Sequence, residues 1–396
     1  MSSSEYKYFL EHQAQTTAAP MGLEIKKAKG SYITDVDNKR YLDFVAGVSA
    51  CTLGHRHPKV VRAIKRQLRK YLHVMVYGEF IQQEPTLLAK QLADALPQSL
   101  SCTYLTNSGT EAIEGALKLA KRATGRAEVV AAHKAYHGST QGAMSVMGYE
   151  ARKSAYRPLI PGSRFIHFNN HEDLDKINEK TAAVILETIQ GGAGFICPED
   201  DYLLAVRKRC DQVGALLILD EIQPGMGRTG KLFAFEHYHI VPDILVTGKG
   251  LGGGLPVGAF CASKKLMKLL QHTPELGHIT TFGGHPLIAA ACRATLETVT
   301  NGSLMNEALE KEQIVRSLLV HPAITEIRGK GLMLALIMQS DALAKRLVQA
   351  ALDSGLILFF LLFEPKAVRI TPPLTITKKE LTKGCHQILS ILDKLC

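Results

Sequence analysis

Short apolar runs alternate with longer amphipathic stretches through the middle of the chain. Six runs of five or six residues are rich in Val, Ile, Leu, Ala and Phe, and helical patterns separate them. Runs of this length between helices are typical of strands that are buried on both faces of a mainly parallel sheet. The pattern therefore predicts strands at 101–105, 128–132, 182–186, 215–219, 243–247 and 257–262.

The two ends of the chain follow other patterns. Apolar and polar residues alternate over 30–44 around Asp37 and Asn38, which indicates a hairpin. After about residue 301, a helical pattern at 341–353 mixes with strand patterns near 332–337 and 368–370. We therefore predict an α/β fold of three parts: an N-terminal segment over 1–56, a large domain over 57–300, and a smaller α+β domain over 301–396.

Composition and charge narrow the classes of function. The 396 residues are 46% hydrophobic and 21% charged, which is ordinary for a globular protein with a large core. The net charge of +10 could indicate nucleic acid, but the positive charges are spread along the chain. The densest run, 65–70, lies in a helical pattern over 59–72, where Val61, Ile64 and Leu68 recur at helical spacing. We interpret that run as a solvent-facing helix side and predict no binding of nucleic acid.

Cysteine and histidine spacing gives no sign of a disulfide framework or a metal site. The eight cysteines have no C-x-x-C spacing and mostly apolar neighbours, so we expect reduced thiols. The pairs His55/His57 and His237/His239 have no further ligands nearby, so no metal is predicted. The first residues have no signal-peptide pattern, and the longest apolar run, 355–363, is too short for a membrane span. We expect a cytoplasmic protein without a membrane segment.

The most informative residue is a lysine at a strand end. Strand 243–247 leads into Lys249, and the glycine-rich stretch 250–254 follows at once. Strand 215–219 ends in Asp220. Pyridoxal 5'-phosphate requires an amine for its aldehyde and an anion for its pyridine nitrogen, and these two strand ends offer both. A snorkelling lysine and a helix-capping aspartate are the alternatives.

Other strand ends carry groups that could bind the rest of such a ligand. Ser108, Gly109 and Thr110 follow a strand and open a helix, which suits a phosphate, although a helix cap explains the same residues. Tyr136 could stack on a planar ring or be a core tyrosine. Glu187 places a carboxylate at a third strand end.

In this order and spacing, the motifs resemble the class III aminotransferases of pyridoxal-phosphate fold type I. That family includes ornithine, acetylornithine, 4-aminobutyrate and putrescine aminotransferases. The resemblance extends over 30–374. The motifs that carry it are Asn107-Ser108-Gly109-Thr110-Glu111-Ala112, Tyr136-His137-Gly138, Leu219-Asp220-Glu221-Ile222-Gln223, Gly227-Arg228-Thr229-Gly230, Lys249, Thr281-Phe282-Gly283-Gly284 and Arg369-Ile370-Thr371-Pro372-Pro373-Leu374.

The resemblance implies a fold and a set of site roles. The fold would be a large domain with a mainly parallel, seven-stranded sheet covered by helices, and a small domain built from the N-terminal segment and the C-terminal part. Lys249 would form a Schiff base with pyridoxal phosphate, and Asp220 would bind the pyridine nitrogen. Gln223 would reach the ring hydroxyl, and Tyr136 and Ile222 would enclose the ring.

The resemblance also implies a shared site. Ser108, Gly109 and Thr110 would hold the phosphate, and Thr281 would complete that cradle from the neighbouring subunit of a homodimer. His137 and Glu187 would belong to the same cofactor site.

The sequence departs from its relatives where substrates bind. Relatives usually have an arginine after the aromatic-His-Gly unit, and here that residue is Ser139. Relatives often have Gln-Gly-Glu, whose glutamate can mask a second arginine, and here the third residue is Gly192. Arg369 matches that second arginine, and we predict that it binds a substrate carboxylate, with a structural ion pair as the alternative. Arg328 is interpreted as structural.

The implied reaction moves an amino group to a 2-oxo acid such as 2-oxoglutarate. The donor stays open among an α-amino acid, an ω-amino acid and a diamine. Another pyridoxal-phosphate reaction on the same fold (aminomutase, racemase or decarboxylase) is the first alternative, because the sequence does not show which substrate bond lies perpendicular to the ring. A non-catalytic binding protein is the second, and the intact Lys249, Asp220 and Gln223 argue against it.

Overall fold

The computed structural model describes residues 4–75, 78–199 and 201–396. Its N-terminal part contains the predicted hairpin, in which Tyr32 pairs with Leu42 and Asn38 adopts a φ of 67° at the turn. The elements of this part are α1 (Ser4–His12), β1 (Ile25–Lys29), β2 (Tyr32–Asp35), β3 (Arg40–Asp43), the short turn α2 (Ala46–Ser49), α3 (Pro58–Leu68) and α4 (Gln83–Ala95).

A seven-stranded sheet forms the centre of the molecule. Its strands are β4 (Cys102–Thr106), β5 (Glu128–Ala132), β6 (Ser163–Ile166), β7 (Thr181–Glu187), β8 (Leu216–Asp220), β9 (Ile244–Gly248) and β10 (Gly258–Ala262). The order is β4-β10-β9-β8-β7-β5-β6, and only β10 runs antiparallel to its neighbours. The six predicted strands are all present. The sequence did not predict β6, which is a four-residue edge strand that begins with Ser163 and Arg164.

Helices cover this sheet, and their ends follow local sequence signals. They are α5 (Gly109–Thr124), α6 (Gln141–Ser145), α7 (Tyr202–Val213), α8 (Lys264–Met267) and α9 (Pro286–Thr300). The hydroxyl of Ser108 accepts a hydrogen bond from the backbone N–H of Glu111 and caps α5, and Gly125 ends the helix in the left-handed conformation. Ala112, Ile113 and Ala116 are fully buried against the sheet, so α5 is held by its apolar face.

Helix α3 differs from the prediction. It ends at Leu68 instead of continuing to residue 72, and Leu68 is 54% exposed. The buried positions are Val60, Ala63 and Gln67. The reason is tertiary: a Cβ atom added to Gly253 would lie 3.3 Å from Val60, so the side of α3 that meets the glycine-rich turn is the buried side.

The C-terminal part is an α+β unit that continues the N-terminal one. Strand β13 (Leu356–Ile357) pairs in parallel with β3, and Leu42 and Phe44 share a hydrophobic cluster with Leu336 and Ile388. This shared core supports the predicted small domain, whose boundaries remain a prediction. The elements are α10 (Leu304–Leu318), β11 (Ile324–Lys330), β12 (Met333–Met338), α11 (Asp341–Asp353), β13 (Leu356–Ile357), β14 (Phe359–Phe360), β15 (Ala367–Ile370) and α12 (Lys378–Leu395).

Within the described ranges, no helix has both the length and the apolar character needed to cross a membrane. All eight cysteines are free thiols, and burial raises the pKa of the Cys261 and Cys385 thiols to about 12. In the same part of the chain, no three His, Cys, Asp or Glu side chains are grouped as a metal site.

Candidate active site

The candidate residues meet at the carboxyl edge of three adjacent parallel strands. Glu187 ends β7 and pairs in register with Asp220, which ends β8. Strand β9 follows on the other side of β8 and ends at Gly248, directly before Lys249. The carboxyl ends of neighbouring parallel strands are where ligands bind in open α/β sheets.

Lys249 is half-buried and has an unusual backbone. Its φ is 35°, in the left-handed region that costs a residue with a side chain about 1–2 kcal/mol. In the described part of the chain its amine has neither a hydrogen bond nor an ion pair. Burial lowers the pKa of Lys249, with the charge of Arg369 acting in the same direction and those of Asp220 and Glu187 opposing it. A lower pKa increases the neutral, nucleophilic fraction of the amine.

Asp220 is buried and held from two sides. Its Oδ2 atom lies 2.8 Å from Nδ1 of His137, and its Oδ1 atom accepts a hydrogen bond from the backbone N–H of Ile222 at 3.0 Å. His137 is also buried, and its Nε2 atom has no hydrogen-bond partner. The carboxylate is therefore fixed in orientation and can accept from a protonated ring nitrogen.

Glu187 holds two backbone segments beside Asp220. Its oxygens accept from the N–H groups of Tyr136 at 3.1 Å and Gly191 at 2.9 Å. Burial raises its pKa to about 7, and the negative charge of Asp220 adds to this, whereas His137 and the two backbone donors oppose it. The role visible in these contacts is to position Tyr136 and Gly191.

Gly109 and Gly191 leave space that the side chains of Ile222 and Gln223 occupy. A Cβ atom on Gly109 would lie 2.7 Å from Cδ1 of Ile222, and one on Gly191 would lie 2.8 Å from Oε1 of Gln223. The Nε2 atom of Gln223 is buried without a hydrogen-bond partner. A buried, unpaired amide donor is costly, so an acceptor on a bound ligand would satisfy it.

The first turn of α5 combines a cap with a phosphate-binding geometry. Ser108 caps the helix, and its free first-turn N–H groups attract an anion. The hydroxyls of Thr110 and Thr140 are 2.7 Å apart. Thr140 was not among the predicted site residues, although its place directly before α6 was the available signal.

Tyr136 and Thr281 lie at the margins of the site. The half-buried Tyr136 has its hydroxyl 3.2 Å from Oγ of Ser139. Thr281 is exposed, and Nδ2 of Asn107 donates to the neighbouring Thr280 at 2.7 Å. The structure thus gathers the other predicted cofactor residues around the strand ends and leaves Thr281 on the surface of this subunit.

Arg369, on β15, is buried and incompletely paired. Its Nε atom donates to the backbone oxygen of Phe360 at 3.1 Å, and its Nη1 atom has no partner. Burial lowers its pKa to about 10. Among the described residues, Arg369 has no acidic partner, which argues against a structural ion pair. Arg328, in contrast, has its Nε atom 2.7 Å from Oε2 of Glu326.

The N-terminal segment also reaches the site, which sequence reasoning missed. A Cβ atom on Gly250 would lie 2.5 Å from Oγ1 of Thr52 and 3.4 Å from the backbone oxygen of Ser49. Ala46, Val48 and Ser49 all have positive φ angles. Such backbone strain in residues with side chains often occurs at functional sites.

These observations fit pyridoxal phosphate. Lys249 offers an unpaired amine, Asp220 an oriented carboxylate, Gln223 a buried donor without a partner, and the start of α5 an anion site.

Comparisons with known proteins agree with this geometry. The model of the family described as aminotransferase class-III matches residues 13–392. A putrescine aminotransferase from Pectobacterium atrosepticum is 38% identical over 407 residues, covering 98% of this chain and 86% of the relative. An acetylornithine aminotransferase from Bacillus subtilis is 38% identical over 372 residues, covering 92% and 94%. The crystal structure of the ornithine aminotransferase from Toxoplasma gondii ME49 superposes with a TM-score of 0.91 at 29% identity, covering 100% and 97%.

Proposed function

Because this chain belongs to the class-III aminotransferases and is therefore a pyridoxal-phosphate-dependent enzyme, we propose that Lys249 is the residue that bonds to the cofactor. The enzyme transfers an amino group from an amino acid, an ω-amino acid or a diamine to a 2-oxo acid. The observation that carries the proposal is the half-buried, unpaired amine of Lys249 beside the buried carboxylates of Asp220 and Glu187.

The bound cofactor supplies an aldehyde for amine exchange and a ring that accepts an electron pair. With the donor amine bound, the free amine of Lys249 would act as the base that takes the proton from the substrate carbon next to nitrogen, and it would later return a proton. Asp220 would hold a proton on the ring nitrogen, because its carboxylate is buried and oriented by His137 and the N–H of Ile222.

The other residues bind and position. Ser108, Gly109 and Thr110 hold the phosphate at the start of α5, and Gln223 donates to the ring hydroxyl. Tyr136 and Ile222 enclose the ring. His137 and Glu187 act through their neighbours: the first orients Asp220, and the second orients the backbone of Tyr136.

Arg369 completes the proposal as the anchor for a substrate carboxylate. A guanidinium that is buried and has an unpaired Nη1 gains a charge-assisted hydrogen bond when a carboxylate arrives. The names of the relatives include both a diamine and an acylated amino acid as donor, so the donor of this enzyme stays open at this step.

The enzyme works as a homodimer in this proposal, with Thr281 reaching the phosphate site of the second copy. A cleft of about 720 Å³ opens beside Thr280, and Phe80, Leu276 and Ile279 line it. These three apolar side chains are 48–60% exposed in one subunit, which is the kind of surface that a second copy would cover. We also place the enzyme in the cytoplasm, in agreement with eight free thiols.

The test of this proposal removes the amine of Lys249. We expect Lys249→Ala to abolish the covalent protein–cofactor bond that borohydride traps, as measured by intact mass, and Lys264→Ala, at an exposed lysine, to retain it. A trapped cofactor on the Lys249→Ala protein would contradict the assignment.

A further inference from the structure

We propose that Glu114 is a positioning residue that links the loop 138–143 to the start of α5, and that the hydroxyl of Thr110 serves this link and not the cofactor phosphate. The inference rests on the proposed function, which places the phosphate at the first turn of α5. It adds a residue outside the sequence motifs and states which atoms of Thr110 are left for the phosphate.

One oxygen of Glu114 accepts three hydrogen bonds from this loop. Its Oε1 atom lies 2.5 Å from the hydroxyl oxygen of Thr140, 2.8 Å from the backbone nitrogen of Gly142 and 3.1 Å from that of Ala143. Hydrogen bonds to a carboxylate are roughly twice as strong as those between neutral groups. A single side chain of α5 therefore holds the loop against the helix.

The direction of each hydrogen bond follows from the donors that are present. Because two backbone N–H groups also point at Oε1 of Glu114, that atom is an acceptor, and the proton between it and Thr140 belongs to the Thr140 hydroxyl. A hydroxyl has a single proton, so Thr140 has none left for Thr110, whose Oγ1 atom lies 2.7 Å away. The proton in that second contact therefore comes from Thr110.

The hydroxyl of Thr110 is thereby fully used. It donates its proton to the Thr140 hydroxyl, and its oxygen accepts from the backbone N–H of Thr140 at 3.3 Å. A phosphate oxygen requires a donor, and the N–H groups at the start of a helix are donors that point at an anion. Gly109 and Thr110 are therefore left to hold the phosphate through their backbone N–H groups.

Two glycines permit this close packing of loop and helix. A Cβ atom on Gly138 would lie 2.2 Å from Oγ1 of Thr110, and one on Gly142 would lie 2.1 Å from Oε2 of Glu114. A side chain at either position would push the loop away from α5. The φ of Gly138 is 132°, a conformation that residues with a side chain rarely adopt.

The segment 136–143 is thus fixed at both of its ends. Near its start, Nδ1 of His137 lies 2.8 Å from Asp220, whose carboxylate faces the ring nitrogen in the proposed function. At its end, Glu114 fixes it to the helix that holds the phosphate. A cofactor that occupies both parts of the site depends on this link. Inorganic phosphate needs only the helix start, which Ser108 caps independently.

The experiment measures the binding of cofactor and of inorganic phosphate separately. The full-length apoenzyme is titrated with pyridoxal phosphate, followed by absorbance, and inorganic phosphate is measured as a competitor in that titration. We expect Glu114→Ala to weaken pyridoxal phosphate binding about 10-fold without weakening inorganic phosphate. Glu114→Gln keeps an oxygen that can accept the same hydrogen bonds, so it should restore most of the affinity.

Thr110→Val tests the assignment of the hydroxyl. This variant keeps the backbone N–H groups of α5 and breaks the link, so pyridoxal phosphate should bind about 10-fold more weakly while inorganic phosphate is not weakened. The double variant Thr110→Val/Glu114→Ala should bind pyridoxal phosphate about as well as the weaker single variant, because both changes break one connected network. Weaker inorganic phosphate binding by Thr110→Val would show that the hydroxyl contacts phosphate directly and would overturn the inference.

The chain offers a matched control for the loss of a capping glutamate. Glu380 accepts from the hydroxyl and the backbone N–H of Thr377 at the start of α12, both at 2.9 Å. Glu380→Ala therefore removes the same kind of contact at a helix in the C-terminal part, and it should change neither affinity.

Two further outcomes separate this inference from the proposed function. Unchanged pyridoxal phosphate affinity in Glu114→Ala overturns the inference; if that variant does not fold, Thr140→Val, which removes the hydroxyl between the two partners, gives the same decision. Borohydride trapping of the cofactor on Lys249 in the wild type is independent of this link. Its loss would remove the proposed function, whereas its presence with unchanged affinities would remove only the inference.

Discussion

The Nδ1 atom of His137 lies 2.8 Å from the Oδ2 atom of Asp220, and both side chains are buried. This contact joins the segment that carries Tyr136 to the end of β8. Because Tyr136 precedes His137 directly, the same hydrogen bond ties the backbone next to Tyr136 to the strand end that carries Asp220. The contact therefore links the backbone of the segment that carries Tyr136 to the carboxylate at the end of β8.

We expect Asp220→Ala to retain some cofactor but to lose about 10²–10³-fold in kcat, because a preorganised charge at the reacting group would be missing. Absorbance of the purified protein reports the cofactor, and steady-state kinetics report kcat. The covalent bond at Lys249 should remain trappable in this variant. A kcat close to that of the wild type would show that Asp220 has no role in turnover.

Arg369→Lys should raise KM for carboxylate substrates about 10-fold or more, because a lysine cannot form the two parallel hydrogen bonds of a guanidinium. Arg328→Lys is the matched control. Because Arg328 pairs with Glu326, we expect this variant to leave KM unchanged. An unchanged KM for every carboxylate substrate of the Arg369→Lys enzyme would remove the anchor from the proposal.

Mixed dimers test the shared site. Lys249→Ala and Thr281→Ala each damage both sites of a homodimer, but a dimer of one subunit of each kind contains one intact site. Random pairing during co-expression should therefore recover up to about a quarter of the wild-type activity. Cofactor affinity of Thr281→Ala alone should fall. If the activity of the co-expressed mixture does not exceed the sum of the activities of the two variants alone, Thr281 does not contribute across the interface.

Glu221 predicts a pH dependence of stability. It is buried, it accepts from the hydroxyl of Thr188 and the N–H groups of Ala234 and Phe235, and burial raises its pKa to about 7. A carboxyl group with a raised pKa in the folded state stabilises the protein fully below its unfolded pKa near 4.5, and this contribution is lost as the pH rises through 7.

We therefore expect the Tm of the apoenzyme to fall between pH 5 and pH 8, and Glu221→Gln to reduce this difference. Calorimetric melting of both proteins gives the comparison, and Glu187, which is present in both, cancels from it. An equal drop in Tm for the two proteins would contradict the contribution of Glu221.

Much of the fold followed from local patterns. The six predicted strands of the large sheet and the helix over 341–353 were predictable because apolar runs and helical periodicity mark them directly, although β4 lies at an edge and is mostly half-buried. Strand β6 was not, since its first residues are polar and its edge position needs little apolar surface. The predicted buried side of α3 was also wrong by one position, because contact with the glycine-rich turn determines which side of the helix is buried.

The sequence by itself determined the family, the cofactor and the candidate residues, because strand-end chemistry and motif order are local properties of the chain. Only the tertiary structure decided that His137 meets Asp220, that Arg369 has no acidic partner in the described part of the chain, and that Phe363 occupies the space above Gly192. The physical reason is that burial, charge pairing and steric exclusion depend on residues far apart in sequence, which only the folded chain brings within contact distance.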